Sequence, residues 1–124
     1  MSSSGNYSLL VTKLFLKEAQ KLKKRYPDIK TSFNKLRKDL KSDPIGRSEA
    51  YLGHDCYKVR MEIAGKLAGK SYGARVIIYV RVIDKIVYLL SVYDKSDKQD
   101  LDVALEVLLK QKDDPVRSFR KPGS

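Results

Sequence analysis

Tyr57-Lys58-Val59-Arg60-Met61-Glu62-Ile63 alternates strictly between apolar and charged residues, and Ala74-Arg75-Val76-Ile77-Ile78-Tyr79-Val80-Arg81-Val82 follows the same rule. Side chains of a strand point to opposite sides in turn. Tyr57, Val59, Met61 and Ile63 are therefore expected on one face, with Lys58, Arg60 and Glu62 on the other. In the second run Ala74, Val76, Ile78, Val80 and Val82 share a face, and Arg75, Ile77, Tyr79 and Arg81 share the opposite one. Both runs read as strands of a sheet that is oily on one side and basic on the other. A face of lysine and arginine carrying a tyrosine suits a phosphodiester backbone.

Outward from these runs, Asp84-Lys85 reads as a tight turn into a further strand, Ile86–Tyr93. That strand is apolar on both faces, as expected for one covered on both sides. Upstream, Arg47–Asp55 reads as a polar loop, and Tyr7–Leu14 as a first strand rich in β-prone residues. Between them Phe15, Ala19, Leu22 and Tyr26 recur at helical spacing until Pro27 stops the pattern. Asp28 is placed to cap a second helix, whose stripe is Ile29, Phe33, Leu36 and Leu40 and which ends at Ser42-Asp43-Pro44-Ile45-Gly46. Leu101, Ala104, Leu105, Leu108 and Leu109 fit one stripe of a short C-terminal helix. The predicted order is β-α-α-β-β-β-α, an α+β fold with an antiparallel sheet and the N-terminal helical hairpin packed on one face. The arginine-bearing face is expected to stay open, and the place of the first strand in the sheet does not follow from the pattern. The chain of 124 residues reads as one domain over residues 7–110, with a small polar tail at 1–6 and a basic tail at 111–124.

Lys and Arg number 26 against 15 Asp and Glu, a formal net charge of +11. A charge of that size on a small domain favours an anionic partner. Cys56 is the sole cysteine, so no internal disulfide framework exists and a reducing compartment is expected. Cys56 reads as a half-buried structural thiol, and His54, the sole histidine, as a loop residue; a zinc site is not expected. Met1–Gly5 leads into a mixed segment, not a cationic region followed by a long apolar one, so a cytoplasmic location without a membrane span is expected.

Gly65-Lys66-Leu67-Ala68-Gly69-Lys70-Ser71 resembles a nucleotide-binding P-loop, but Ala64 stands where the first glycine belongs. A P-loop also feeds a helix whose N-terminus meets the phosphates, whereas this segment feeds a strand. Nucleoside triphosphate binding is rejected. Lys66 and Lys70 can still grip an RNA backbone, or can be solvated lysines of a hairpin loop.

On the basic face Lys58, Arg60, Arg75, Tyr79 and Arg81 are joined by Ser91 and Tyr93, with Lys95 just beyond at the same parity. Cations clustered across strands repel one another, and Glu62 is their only counter-charge within the strands. A bound anion would relieve that repulsion. The face has no histidine pair for acid–base work, and no metal cofactor is expected. Charge stabilisation remains: an RNA 2′-hydroxyl can attack its neighbouring phosphate while arginine and lysine hold the added negative charge. A lysine crowded by cations, or a tyrosine, could move the proton. DNA has no such hydroxyl.

Cys56-Tyr57-Lys58-Val59-Arg60-Met61, Gly73-Ala74-Arg75-Val76-Ile77-Ile78-Tyr79 and Val87-Tyr88-Leu89-Leu90-Ser91-Val92-Tyr93-Asp94-Lys95-Ser96 together resemble the RelE/ParE superfamily of bacterial toxins. Within it the chain is most similar to the RelE and HigB-like mRNA interferases. The resemblance implies a toxin that cleaves mRNA in the ribosomal A site without metal, and an antitoxin protein as partner. It places Lys58, Arg60, Arg75 and Lys95 at the phosphate-stabilising and acid–base positions. The basic face and its connection themselves put forward Lys66, Lys70, Tyr79 and Arg81 as RNA contacts. RelE has a tyrosine in its C-terminal helix that 101–109 here lacks, which leaves Tyr93, Tyr79 or a lysine to take its place. Two rival readings are a ParE-like inhibitor of DNA gyrase and an inactive homologue that only binds its antitoxin.

Overall fold

The computed structural model describes residues 6–63 and 73–96 of the chain. The predicted 101–109 helix, the connection bearing Lys66 and Lys70, and most of both tails lie outside the described residues. Strand β1 (Ser8–Val11) passes directly into helix α1 (Lys13–Arg25). Thr12 makes the change: its Oγ1 accepts from the Phe15 N–H at 3.0 Å, as an N-cap does, and its hydroxyl donates to the Leu90 carbonyl at 2.9 Å. The first strand therefore stops short of the predicted Leu14.

Pro27 follows the end of α1, and α2 (Ile29–Ser42) begins after Asp28. Asp28 occupies the N-cap, but its side chain makes no cap hydrogen bond, so the expected side-chain cap is absent. The short helix α3 (Pro44–Arg47) is capped by Asp43, whose Oδ1 accepts from the Gly46 N–H at 3.0 Å. Four further strands follow: β2 (Ala50–Gly53), β3 (Cys56–Met61), β4 (Ala74–Arg81) and β5 (Ile86–Asp94).

The five strands form one sheet in the order β1-β5-β4-β3-β2. Two features differ from the sequence reading. Residues 50–53, expected in a polar loop, form edge strand β2, joined to β3 by a tight hairpin in which His54 and Asp55 both take positive φ. Strand β1 lies parallel to β5, so the sheet is mixed, with only β2 to β5 an antiparallel meander. The parallel edge is possible because the whole helical hairpin and three strands separate β1 from β5, far more chain than a parallel connection requires.

Phe15, Leu22, Ile29, Leu36 and Leu40 of the helices pack on Val59, Val76, Ile78, Val87 and Val92. This is the expected oily face. The opposite face is not the open basic surface that alternation predicted. Cys56, Ile77, Tyr88, Leu90 and Tyr93 form a second buried cluster on it, with Ile77 and Leu90 fully buried. Lys58, Arg60 and Arg75 lie towards one end of this face, and Arg81 stands at the other end of β4. Alternation tells which way a side chain points, not how much protein lies over it.

The β4–β5 register slips once: Ile78 faces Leu89, but Ile77 faces Ser91. Leu90 is the extra residue of this bulge, and side-chain parity along β5 changes there. As a result Tyr93, not Val92, stands opposite Arg75.

Candidate active site

Arg60 of β3 pairs directly with Arg75 of β4, and Arg75 pairs with Tyr93 of β5. These three make a row across the middle of the sheet, on the face away from α1 and α2. Lys58 pairs with Ile77 in the next row. Lys95 follows β5 at the same end, its backbone N–H donating to the Gly73 carbonyl at 3.0 Å, with Gly73 at a φ of 108°. The structure thus gathers Lys58, Arg60, Arg75, Tyr93 and Lys95 at one end of the sheet.

Their exposure differs in a way that separates their roles. The Arg75 side chain is 4% exposed, Lys58 18% and Arg60 32%. Arg75 is the floor of the site, and Lys58 and Arg60 are its rim. Two arginines directly opposite one another repel, and a buried charge needs a partner. The partner is a residue that strand parity did not find. Glu49 Oε1 lies 3.3 Å from Arg75 Nε and 3.8 Å from Lys58 Nζ. Arg60 Nη2 is 3.8 Å from the exposed Glu62 carboxylate. Glu49 is placed by its own backbone N–H, which donates to the Lys58 carbonyl at 2.7 Å and extends the β2–β3 pairing. Reading residues 47–55 as a hairpin would have revealed it.

One carboxylate oxygen is thus shared by a guanidinium and an ammonium. A phosphate oxygen has the same charge and acceptor geometry. The site therefore offers two rim cations, one buried guanidinium, a phenol and a carboxylate within one small area.

A family model described as the RelE toxin of the RelE / RelB toxin-antitoxin system matches residues 10–115. The chain belongs to the RelE toxin family. Among solved structures, a double arginine-to-alanine mutant of the E. coli toxin RelE in its free state matches with a TM-score of 0.55 at 22% identity. That match covers 86% of this chain and 97% of the other. No curated protein matches.

Two of the RNA contacts expected from the sequence lie away from this cluster. Residues on one face of a strand recur about every 6.7 Å, so Tyr79 stands about 13 Å and Arg81 about 20 Å along β4 from Arg75. Tyr79 rests against the ring of Tyr88, centroids 5.5 Å apart. Arg81 Nε is 2.7 Å from Asp84 Oδ2, and that carboxylate raises the guanidinium pKa further. The Ser91 hydroxyl is engaged by α1, donating to Glu18 Oε1 at 2.6 Å. Cys56 is 2% exposed, and burial followed by the nearby Asp55 charge pushes its thiol pKa up to about 12. It is an inert packing residue, more deeply buried than expected. Among the described residues no group of His, Cys, Asp or Glu is arranged to hold a metal ion, and no helix is long and apolar enough to cross a membrane.

Proposed function

We propose that this RelE-family toxin is an endoribonuclease that cleaves mRNA on the ribosome and is restrained by a cognate antitoxin. The observation that carries this reading is the row Arg60–Arg75–Tyr93, with Lys58 beside it and the Glu49 carboxylate 3.3 Å from Arg75. The 2′-oxygen of the RNA attacks the adjacent phosphorus, and the bond from phosphorus to the 5′-oxygen breaks. Arg75 and Arg60 hold the non-bridging oxygens as their negative charge grows. The 2′-hydroxyl proton passes to the Glu49 carboxylate, already seated among the cations. The departing 5′-oxygen takes a proton from Lys95 or Tyr93 at the other side of the row. The products are a 2′,3′-cyclic phosphate and a 5′-hydroxyl. Lys58 serves as a phosphate contact at the rim, and Lys66 and Lys70 as contacts to the RNA backbone.

The test is cleavage of mRNA on programmed ribosomes by the wild type and by Arg75→Ala, Lys58→Ala and Lys95→Ala variants. Cleavage that needs the ribosome and is lost in Arg75→Ala supports the reading. Intact mRNA together with trapped gyrase–DNA complexes would replace it with gyrase inhibition. Neither outcome, with antitoxin binding retained, would make the chain an inactive partner of its antitoxin.

A further inference from the structure

Tyr93 and Lys95 owe their places to two features of β5, and both features are held from the far side of the sheet by α1. The first is the Leu90 bulge. Just beyond it the β1 edge is lost, since β1 pairs with β5 only as far as Leu89, and backbone donors past that point must be satisfied elsewhere. Here Glu18 Oε1 accepts from the Val92 N–H at 3.0 Å and from the Ser91 hydroxyl at 2.6 Å. Thr12 grips the same place, its hydroxyl donating to the Leu90 carbonyl at 2.9 Å. Bonds to an ionised carboxylate are roughly twice as strong as neutral ones. Without the slip, Val92 would stand opposite Arg75 and Tyr93 would turn towards the helices.

The second feature is the turn that carries Lys95. The Asp94 side chain is fully buried. Its Oδ2 accepts from the Tyr26 hydroxyl at 2.5 Å and lies 3.4 Å from Arg25 Nη2. Its Oδ1 accepts from the Ser96 N–H at 3.0 Å and the Ser96 hydroxyl at 2.7 Å. Lys95 sits between these two anchored residues.

We propose that α1 is the register clamp of the site: Glu18 holds the bulge that turns Tyr93 to the Arg75 side, and Tyr26 holds the Asp94 turn that places Lys95. Glu18 and Tyr26 are positioning residues, since both lie on the helix side of the sheet. The effect on cleavage rests on the nuclease reading; the effect on the strand does not, and the two are measured separately.

The experiment uses the full chain carrying Glu18→Ala, Glu18→Gln or Tyr26→Phe. Amide exchange is followed by NMR without substrate, and single-turnover cleavage is followed on programmed ribosomes. In Glu18→Ala the Val92 and Tyr93 amides should exchange about tenfold faster or more, with Val59 and Val76 unchanged, because one local restraint is lost. Tyr26→Phe should do the same at Lys95 and Ser96. Glu18→Gln keeps an acceptor oxygen and should stay near the wild type. The cleavage rate at saturating ribosomes should fall about tenfold or more in Glu18→Ala and Tyr26→Phe, with half-saturation nearly unchanged, as for misplaced groups rather than lost binding. Unchanged exchange at these amides, faster exchange spread evenly over the sheet, or a full rate despite local opening would each overturn the clamp. A wild type that does not cleave would remove the nuclease reading, and the exchange result alone would then decide the roles of Glu18 and Tyr26.

Discussion

Glu49 holds Arg75: its Oε1 stands 3.3 Å from the guanidinium Nε, so a carboxylate at the sheet's edge neutralises the buried cation at its centre. The same oxygen also faces Lys58 at 3.8 Å. Removing Glu49 leaves two crowded cations with less counter-charge. Because the Glu49 side chain is 39% exposed, the cost should fall well below that of breaking a fully buried pair. Glu49→Ala is expected to lower stability by about 1–2 kcal/mol in urea unfolding. Its cleavage should drop about 100-fold or more, the usual loss on removing a general base. A variant with unaltered cleavage would exclude Glu49 as proton acceptor.

No substitute should match Arg75. Its planar fork can bond a phosphate at two points, whereas lysine offers a single point of charge. Arg75→Ala should reduce single-turnover cleavage by about 100- to 1000-fold, as when a preorganised donor to a developing oxyanion is removed. Arg75→Lys should fall between the two. Equal activity of Arg75→Lys and the wild type would mean that charge alone suffices.

Cys56 predicts a particular alkaline limb. Its thiol pKa is raised from 9.0 to about 12 by burial and then by Asp55. The folded chain therefore keeps this proton at pH values where the unfolded chain releases it. The contribution is fully present below pH 9.0 and is lost as pH climbs towards 12. Thermal unfolding of Cys56→Ala across this range should show a shallower decline than the wild type. The native thiol should react slowly with a disulfide reagent at neutral pH. Rapid labelling of the folded protein would contradict its burial.

The β2–β3 hairpin is open to improvement. His54 and Asp55 take φ values of 54° and 63°, a conformation that glycine adopts without penalty. Asp55→Gly keeps the backbone carbonyl that accepts from Val80 N–H at 2.9 Å. It should stabilise the chain by up to about 1 kcal/mol, read as a higher urea midpoint at an unchanged slope. A lower midpoint would show that the Asp55 side chain contributes more than the strain costs.

The parts of the fold that were legible are those with a period. Alternation in 57–63 and 74–82 located β3 and β4 and placed Arg60 and Arg75 on one side, as their direct pairing shows. The helical stripes predicted α1 and α2 in the same way. Strand β2 was illegible because Ala50-Tyr51-Leu52-Gly53 is too short to show a period, and the two central turn residues, His54 and Asp55, include no glycine of the kind that usually marks a tight hairpin. The bulge at Leu90 left no trace because Val87–Leu90 is apolar on both faces, so a slip of one residue changes nothing in the pattern. Burial of Arg75 ran against the ordinary preference of arginine for water. Glu49 meets Lys58 through the β2–β3 hairpin and Arg75 through the next strand, so missing β2 hid both contacts.

The parallel pairing of β1 with β5 has a consequence for synthesis. Ser8–Val11 are made before every other strand of the sheet, yet their partners, Ile86–Leu89, belong to its last strand. An incomplete nascent chain has no sheet edge on which β1 can dock, and it has not yet received Tyr93 or Lys95. A polypeptide broken off before Ile86 therefore carries Arg60 and Arg75 without the strand that completes their row. Translation must pass β5 before the cell contains the assembled surface, a late closure characteristic of contacts between distant parts of a chain.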